Sequence, residues 1–331
     1  MSNSKLWMLG ILLALFVFSS CKKDEEETPQ VNESEVLASF LESTNSPYMK
    51  DYVNTDMPSI ISAVDVNTLN LTDQIYIIDI RSATDYATGH IENAVNVAAT
   101  EVLNHIESND LSGYEKIAIV CYTGQTAGWA TSLCRLIGHN NVFSMKWGMS
   151  SWNPFFASKW QNSIGNAYAT QFTGDATDKN AAGSLPTLST GKTTGLDILN
   201  SRIATVFAEG FDPAKVTAQA VFDNLNNYYI VNYWPEAQYA DPGHIPGAIQ
   251  YTPKETIKLA VDLKTLPTDK TIAVYCYTGQ TSAFLTAYLR LLGYDAKSIL
   301  FGANGMIYDI MLDAGMTTFK DSEVNEFDYV Q

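Results

Sequence analysis

The stretch Cys-Tyr-Thr-Gly-Gln-Thr occurs twice, at residues 121–126 and 276–281, and these two copies decide the fold. Each copy begins at the cysteine that ends a strand-like run of apolar, mostly β-branched residues, 116–121 in the first case and 271–276 in the second. Each copy precedes a helical pattern of apolar residues that ends at a glycine. A strand, a tight loop and a helix in this order place the cysteine at the carboxyl end of a buried strand, where open α/β sheets bind their ligands.

The repeat extends well beyond the loop, with an offset of 155 residues between Cys121 and Cys276. The apolar helix face Ala127, Ala130, Leu133, Cys134 and Ile137 recurs as Ser282, Leu285, Tyr288, Leu289 and Leu292. Upstream, Tyr86 and Gly89-His90-Ile91 recur as Tyr239 and Gly243-His244-Ile245. This in-register repeat predicts a tandem duplication, and the alternation of strands and helices predicts a parallel, doubly wound α/β sheet in each half.

The loop cysteines, Cys121 and Cys276, are the candidate nucleophiles. Backbone N–H groups of the loop and the positive end of the following helix dipole converge on the sulfur, and both favour a thiolate. We therefore expect a depressed pKa at both thiols. Gly124 and Gly279 allow a tight backbone approach in the loop. Cys134 differs, because it lies on the apolar helix face where the other copy has a leucine, and it is predicted to be a small buried hydrophobe.

These residues resemble the rhodanese family of sulfurtransferases. The first copy carries the resemblance in Asp79-Ile80-Arg81, Asp85-Tyr86, Gly89-His90-Ile91, the cysteine loop, Trp147-Gly148-Met149 and Trp152. The resemblance implies two rhodanese-like domains, each a doubly wound parallel sheet flanked by helices. It also implies an enzyme that takes a sulfane sulfur from a small donor, thiosulfate-like or a persulfide, as a cysteine persulfide. The acceptor is then a thiol or cyanide, and no cofactor is implied.

The resemblance implies that Cys121 and Cys276 are the catalytic residues. The substrate-binding loop then consists of Tyr122, Thr123, Gly124, Gln125, Thr126, Tyr277, Thr278, Gly279, Gln280 and Thr281. Thr126 and Thr281 have two interpretations, a cap on the following helix, which we favour, or a donor to a bound anion. His90 and His244 have no second ligand at a zinc-like spacing, so no metal site is predicted.

The second copy departs from the family pattern. Asp79, Arg81 and Asp85 of the first copy become Asn232, Trp234 and Gln238, and the closing tryptophans are absent. We interpret these polar residues, and the Gly-His-Ile motifs, as supports of the fold rather than substrate contacts, because buried polar groups usually serve hydrogen-bond satisfaction. A loosely supported loop loses positioning. We therefore expect Cys121 to carry most of the sulfur transfer.

Two features of the loops limit the reactions and the donors that the protein is expected to use. Phosphatases of this fold carry an arginine six residues after the cysteine, where this chain has Ala127 and Ser282, so phosphatase activity is disfavoured. The loops also contain no lysine or arginine, which leaves the identity of the donor open. The rival hypothesis is a non-catalytic module that binds persulfides, thiols or a protein partner. Retention of the cysteine in both copies argues against that hypothesis.

Composition limits the number of domains, the class of partner and the role of the cysteines. The chain has 331 residues, 46% of them hydrophobic, which suits two ordinary domains with cores of their own. The formal net charge is −16 and no basic stripe is visible, which argues against nucleic acid as a partner. We interpret the acidity as an aid to solubility. The four cysteines do not form a disulfide framework, since their contexts differ and Cys21 lies at a processing site.

The N-terminal residues 1–20 are predicted to be a signal peptide. Lys5 precedes an apolar run of 13 residues, 6–18, which is too short to span a bilayer as a helix. The ending Phe-Ser-Ser-Cys resembles the lipobox of bacterial lipoproteins, which implies lipidation of Cys21, a lipid anchor in the membrane and a place in the bacterial cell envelope. An ordinary signal peptide cleaved nearby is the alternative. Residues 21–32 are a charged tether, interpreted as a solvated linker rather than an export tag.

The remaining chain is divided by changes in composition. We predict a first rhodanese-like domain at 33–161, a linker at 162–195, a second domain at 196–318 and a C-terminal tail at 319–331. The linker is rich in Gly, Ala, Ser, Thr and Asn and lacks periodicity. A long excursion onto the surface of the first domain is the alternative. Predicted elements include helices at 33–43 and 60–69 and strands at 75–80, 94–97, 142–145, 228–233 and 298–301.

Overall fold

The computed structural model describes residues 32–331 and contains two five-stranded, all-parallel sheets. The first sheet contains β1 (Ile60–Ile61), β2 (Ile75–Asp79), β3 (Val95–Asn96), β4 (Lys116–Val120) and β5 (Val142–Met145). The second contains β6 (Lys215–Val216), β7 (Tyr228–Asn232), β8 (Ile249–Gln250), β9 (Thr271–Tyr275) and β10 (Ala296–Ile299). Strand order is β1-β5-β4-β2-β3 in one and β6-β10-β9-β7-β8 in the other, which is the same topology. The prediction of two parallel α/β units is confirmed.

Helices cover the sheets. Those of the first half are α1 (Glu33–Leu41), α2 (Tyr52–Thr55), α3 (Ala63–Asn70), α4 (Ala83–Thr88), α5 (Val102–Ser108), α6 (Gln125–Leu136) and α7 (Ser158–Gln161). Those of the second half are α8 (Gly195–Glu209), α9 (Ala218–Asp223), α10 (Glu236–Ala240), α11 (Gln280–Leu291) and α12 (Tyr308–Asp313). Short 3-10 turns follow β5 at Gly148–Ser151 and β10 at Gly302–Gly305.

The cysteine strands β4 and β9 are central in their sheets. β4 lies between β5 and β2, and β9 lies between β10 and β7. Four of the five residues in each strand are buried, which explains their continuous apolar sequences, because central parallel strands are covered on both faces. Each cysteine therefore follows the best-supported strand of its domain.

Two predicted elements are wrong at their boundaries. Residues 60–69 were expected to form one helix, but 60–61 are the edge strand β1, and α3 begins only after Ser62, whose side chain accepts a hydrogen bond from the backbone N–H of Asp65. A capping serine ends the extended segment and starts the helix. The strand expected at 298–301 ends at Ile299, because Phe301 has a φ of 62°, in the left-handed region that a strand does not use.

The two domains pack through α6 and α11, the helices that follow the cysteine loops. A Cβ at Gly128 of α6 would lie 3.0 Å from the ring of Phe284 on α11, and Ser132 Oγ donates to the carbonyl of Phe284 at 2.9 Å. A single hydrophobic cluster of buried residues contains side chains from both domains. This close helix contact brings the amino ends of α6 and α11, and therefore the two loops, to the domain interface.

The segment that follows each domain lies on the other domain. In the predicted linker, Tyr168 N donates to Met306 O at 3.2 Å and Thr173 pairs with His244 through two backbone hydrogen bonds of 2.9 Å. Residues 163–177 thus pack on the second domain, not on the surface of the first. In the predicted tail, Phe327 N donates to Trp152 O at 3.2 Å.

The tail also pairs its last residues with the first domain. His90 N donates to Val330 O at 2.8 Å, and Val330 N donates back to His90 O at 2.9 Å. Met306 and Trp152, and likewise His244 and His90, are equivalent positions of the repeat. The exchange of segments is therefore reciprocal. We call residues 163–177 the first arm and residues 323–331 the second arm.

The predictions for the N-terminal region concern residues that the structure does not describe. The signal peptide, Cys21 and nearly all of the tether lie outside residues 32–331. Within the described residues, no helix has the length and hydropathy that a membrane crossing requires.

Candidate active site

Cys121 lies at the carboxyl end of β4, as the sequence predicts, and its loop folds back over the sulfur. The sulfur accepts hydrogen bonds from Gly124 N at 3.1 Å and Ala127 N at 3.4 Å. Gly124 has a φ of 81° and begins α6, a conformation in which glycine is favoured. The cysteine is only 6% exposed. The geometry is that of a sulfur at the base of a ring of N–H donors.

The expected depressed pKa is wrong for Cys121. Burial raises the pKa of this thiol above its ordinary value, and the Asp79 carboxylate adds to the rise. Hydrogen bonds from the backbone N–H groups of Ala127, Thr123 and Gly124 lower the pKa without offsetting burial. The sequence indicated the N–H donors but not how completely the surrounding loops remove the sulfur from water.

Cys276 lies at the same place in the second domain, after β9, but its sulfur has a different neighbour. It accepts from Ser282 N at 3.3 Å and lies 3.6 Å from Ser282 Oγ. Ser282 Oγ is in turn 2.7 Å from Ser298 Oγ. The first domain has Ala127 in place of Ser282 and so lacks this hydroxyl. Cys276 is 2% exposed.

From the sequence, Ser282 was considered only because it stands where phosphatases of this fold carry an arginine. Its hydroxyl, which accepts a hydrogen bond from the Cys276 thiol, was missed as a partner of the sulfur, although the difference from Ala127 is visible when the two repeats are compared.

Beside the first loop, a buried ion pair supports Tyr122. Arg81 Nη2 and Asp79 Oδ2 are 2.6 Å apart, and Arg81 also donates to the carbonyl of Gly89 at 2.7 Å. The guanidinium lies 5.1 Å from the centroid of the Tyr122 ring, and the Tyr122 hydroxyl donates to Asp85 at 3.1 Å. Asp79, Arg81 and Asp85 therefore act on the loop through Tyr122, which agrees with their interpretation as supports.

The second domain replaces these supports with other residues. Asn232 Nδ2 donates to Tyr275 Oη at 2.7 Å, and Ile245 N donates to the same oxygen at 3.3 Å. The ring of Trp234 stacks on that of Tyr277 with centroids 5.3 Å apart, and the Tyr277 hydroxyl donates to Gln238. The second loop thus has side-chain neighbours of its own, by different chemistry. The expectation of a more loosely supported second loop stays a prediction.

The other predicted loop residues have separate structural roles. Neither helix has a side-chain cap, because the capping positions are Gly124 and Gly279, so the capping interpretation of Thr126 and Thr281 is wrong. Thr123 Oγ1 accepts from Gln125 Nε2 at 3.1 Å, and Thr278 Oγ1 accepts from Gln280 N at 3.1 Å.

Gln125 and Gln280 also form hydrogen bonds to the opposite domain. Gln125 Oε1 accepts from Phe301 N at 2.8 Å, and Gln280 Oε1 accepts from Trp147 N at 3.1 Å. Each glutamine thus contacts the backbone of the opposite domain. Among the residues predicted to bind substrate, these two are committed to the domain interface. The pattern of the sequence cannot show this, because it does not fix how the domains pack.

Two residues from outside the loop border the first site. The ammonium of Lys159 lies 4.8 Å from the centroid of the Tyr122 ring, and Trp160 Nε1 donates to the carbonyl of Thr123 at 3.2 Å. Lys159 supplies a cation beside a loop that has none of its own. The sequence missed both residues, since they are 38 and 39 positions after Cys121 on the short helix α7.

The two histidines of the Gly-His-Ile motifs, His90 and His244, form hydrogen bonds with backbone carbonyl oxygens. His90 Nδ1 lies 3.0 Å from Tyr86 O, and His244 Nδ1 lies 2.8 Å from Tyr239 O. Within residues 32–331, no group of three or more His, Cys, Asp and Glu side chains is placed to hold a metal ion.

Known proteins match this chain as follows. The rhodanese-like domain model matches residues 64–154 and 217–306. The thiosulfate sulfurtransferase GlpE of Pseudoalteromonas translucida is 29% identical over 94 residues, 28% of this chain and 88% of that protein. The protein of that name from Pseudomonas fluorescens is 26% identical over 83 residues, 25% of this chain and 74% of that protein.

Solved structures include SseA from Escherichia coli, described under 3-mercaptopyruvate sulfotransferases, with 18% identity and a TM-score of 0.28 over 75% of this chain and 98% of that one. The two matched segments of the family model make up more than half of the chain, and each contains four of the five strands of one sheet and one cysteine loop. The chain belongs to the rhodanese-like domain family and carries two copies of that domain.

Proposed function

We propose that this protein is a sulfurtransferase that moves a sulfane sulfur from a small donor to a thiol or cyanide through a cysteine persulfide. The observation that carries the proposal is the pair of loop cysteines whose sulfurs accept backbone N–H hydrogen bonds, at Gly124 and Ala127 in one domain and Ser282 in the other. Such donors stabilise the negative sulfur both before attack and in the persulfide anion.

The reaction consists of two displacements. The cysteine thiolate attacks the outer sulfur of the donor, the sulfur–sulfur bond of the donor breaks, and the donor remainder leaves with the electron pair, as sulfite does from thiosulfate. The acceptor then attacks the terminal sulfur of the Cys–S–S⁻ group. The bond between the two sulfurs breaks, the sulfur leaves on the acceptor, and the cysteine thiolate is regenerated.

Thiosulfate is the first donor to test. Two relatives are named as thiosulfate sulfurtransferases, although their identity to this chain is below 30%. Lys159 supports an anionic donor at the first site, because it places a positive charge beside Tyr122.

Cyanolysis tests the proposal directly. Wild-type protein is incubated with thiosulfate or a small persulfide and cyanide, beside Cys121→Ser, Cys276→Ser and the double variant. We expect thiocyanate from the wild type and none above background from the double variant. Equal thiocyanate from the wild type and the double variant would rule the mechanism out.

The second candidate is a non-catalytic module that binds persulfides or a protein partner. The observation that favours it is the burial of both sulfurs, 6% and 2% exposed. This module would show no thiocyanate formation with any donor. Its cysteines would also gain no sulfur in a single turnover, which separates it from an enzyme whose acceptor is simply not cyanide.

We also propose a lipoprotein anchored through Cys21 at the bacterial cell envelope. The support is in the sequence: an apolar run of 13 residues that ends in Ser-Ser-Cys, followed by an acidic tether. Cys21→Ala should release the protein from the membrane fraction of a bacterial host that processes lipoproteins. Unchanged fractionation of the variant would exclude anchoring at this residue.

A further inference from the structure

Behind each cysteine loop, a bulky residue has a left-handed backbone. Trp147 and Phe301 both have a φ of 62°. For a large side chain this conformation is strained, and it persists only where the surroundings enforce it. Each of these residues, with the glycine that follows it, connects one strand, β5 in the first domain or β10 in the second, to the back of the cysteine loop.

That glycine touches the cysteine backbone. A Cβ at Gly148 would lie 2.3 Å from Cys121 O, and a Cβ at Gly302 would lie 2.3 Å from Cys276 O. The backbone N–H of the residue after this glycine also binds the cysteine carbonyl. In the first domain, Met149 N donates to Cys121 O at 2.8 Å. The strained turn is therefore the surface against which each cysteine is held.

A glutamine from the opposite domain enforces each strained turn. Gln280 accepts from Trp147 N at 3.1 Å, and Gln125 accepts from Phe301 N at 2.8 Å. Both glutamines are buried, so these two hydrogen bonds are made away from solvent. Each bond joins a loop residue four positions after one cysteine to the turn that supports the other cysteine.

The glutamines also fill space beside the opposite loop. A Cβ at Gly124 would lie 2.0 Å from Gln280 Nε2, and a Cβ at Gly279 would lie 2.4 Å from Gln125 Oε1. The absence of a side chain at each loop glycine is therefore needed for the glutamine from the other domain. The two loops are in contact through these side chains.

We propose that Gln125 and Gln280 are reciprocal positioning residues: Gln280 positions the Cys121 loop, and Gln125 positions the Cys276 loop. Each sulfur site is complete only when the other domain is docked. A change in one loop, such as conversion of its cysteine to a persulfide, reaches the other through a buried hydrogen bond. The consequence for sulfur transfer rests on the proposed function, whereas the positioning itself does not.

The test uses Gln280→Met and Gln125→Met in the full-length protein. Methionine keeps the approximate length of the side chain and removes the acceptor. Two readouts are taken at each cysteine by peptide mass mapping: the pH profile of iodoacetamide alkylation, and single-turnover sulfur loading from thiosulfate or a persulfide. Cys134 is fully buried and serves as an internal reporter of unfolding.

We expect a crossed pattern. Gln280→Met should raise the apparent pKa of Cys121 and slow its sulfur loading by about 10- to 100-fold, with a smaller change at Cys276, because lost positioning costs rate on that scale. Gln125→Met should slow sulfur loading of Cys276, with a smaller change at Cys121. Changes confined to the cysteine of the same loop, equal changes at both cysteines, or no change at either would overturn the inference.

If alkylation of Cys134 reveals unfolding of a methionine variant, the shorter Gln280→Asn and Gln125→Asn must show the same crossed pattern. If wild type loads no sulfur, the proposed function fails, but the alkylation profiles still decide the positioning inference.

Discussion

At the scale of single residues, the two cysteines differ in the groups around the sulfur. Cys121 has the Asp79 carboxylate in its surroundings, whereas the second domain has the neutral Asn232 at that position. Cys276 has the hydroxyl of Ser282 at 3.6 Å, whereas the first domain has a methyl group there. In addition to burial, the Asp79 carboxylate raises the pKa of the Cys121 thiol, and the second domain has no carboxylate at that position. The expectation that Cys121 carries most of the sulfur transfer stays a prediction, which single-turnover sulfur loading of the Cys121→Ser and Cys276→Ser proteins decides.

The raised pKa of Cys121 predicts a pH dependence. Only the thiolate attacks, and below the pKa its fraction rises about tenfold for each pH unit. Sulfur loading of Cys121, measured in the Cys276→Ser protein by single-turnover mass spectrometry, should therefore climb steadily from pH 6.5 to pH 8.5. A rate that is already constant below pH 7 would show that the thiol is ionised there.

Ser282→Ala should slow sulfur loading of Cys276 by about 10-fold or more, because a hydrogen bond to a charged group contributes about 1.5–3 kcal/mol. The measurement is single-turnover loading in the Cys121→Ser protein. The matched change is Ala127→Ser in the first domain, where Ser144 stands at the position of Ser298. Ala127→Ser should accelerate Cys121. Loss of rate in both variants would contradict a role of the hydroxyl as a donor.

At the scale of elements, much of each domain was predictable from the sequence. The runs before each cysteine are buried on both faces, so their apolar character identified β4 and β9. The short edge strand β1 was not predictable, since two residues have no periodicity. The hydrogen-bond partner of Asn232, which stands at the position of Asp79, was also hidden. It is the hydroxyl of Tyr275, a residue that the sequence pattern treats as one more apolar member of the strand.

The buried pair Asp79–Arg81 predicts a large loss of stability when one partner is removed. Arg81→Met should lower the free energy of unfolding by about 3–5 kcal/mol, because it leaves a buried carboxylate without its partner. Chemical denaturation measures the loss. Lys50→Met, which removes an exposed ion pair with Asp56, is the control and should change stability by less than about 1 kcal/mol.

The second domain suggests a rescue of Arg81. The triple variant Asp79→Asn, Arg81→Trp, Val120→Tyr copies its solution and should recover part of the stability that Arg81→Met loses. A triple variant no more stable than Arg81→Met would contradict the structural equivalence of the two sets.

At the scale of the whole molecule, the sequence predicts the duplication but not the exchange of arms. Residues 162–195 lack periodicity, so nothing in them indicates which domain they cover. The packing depends on matches between distant residues, such as Phe327 with Trp152, whose ring centroids are 5.0 Å apart. The role of Gln125 and Gln280 has the same origin, since it exists only once the domains are docked.

The exchange of arms predicts crossed effects on local stability. Phe327→Ala should weaken amide protection in the first domain, and Tyr168→Ala, which removes a ring stacked 3.9 Å from Phe222, should weaken it in the second. Truncation of a partly buried aromatic ring costs about 1–3 kcal/mol of packing. Hydrogen exchange measured by peptide mass spectrometry locates the effect. Weaker protection only in the domain that precedes each arm would contradict the exchange.

The proposed function requires the loop cysteines to carry sulfur as persulfides. Its most direct test is the mass of the intact protein, followed by peptide mapping, after brief exposure to thiosulfate or a small persulfide and removal of the donor. We expect the gain of one sulfur atom at Cys121, at Cys276 or at both, none at Cys134, and loss of that sulfur on addition of cyanide. Unchanged masses at both loop cysteines with every donor class, or sulfur retained in the Cys121→Ser/Cys276→Ser protein, would contradict it.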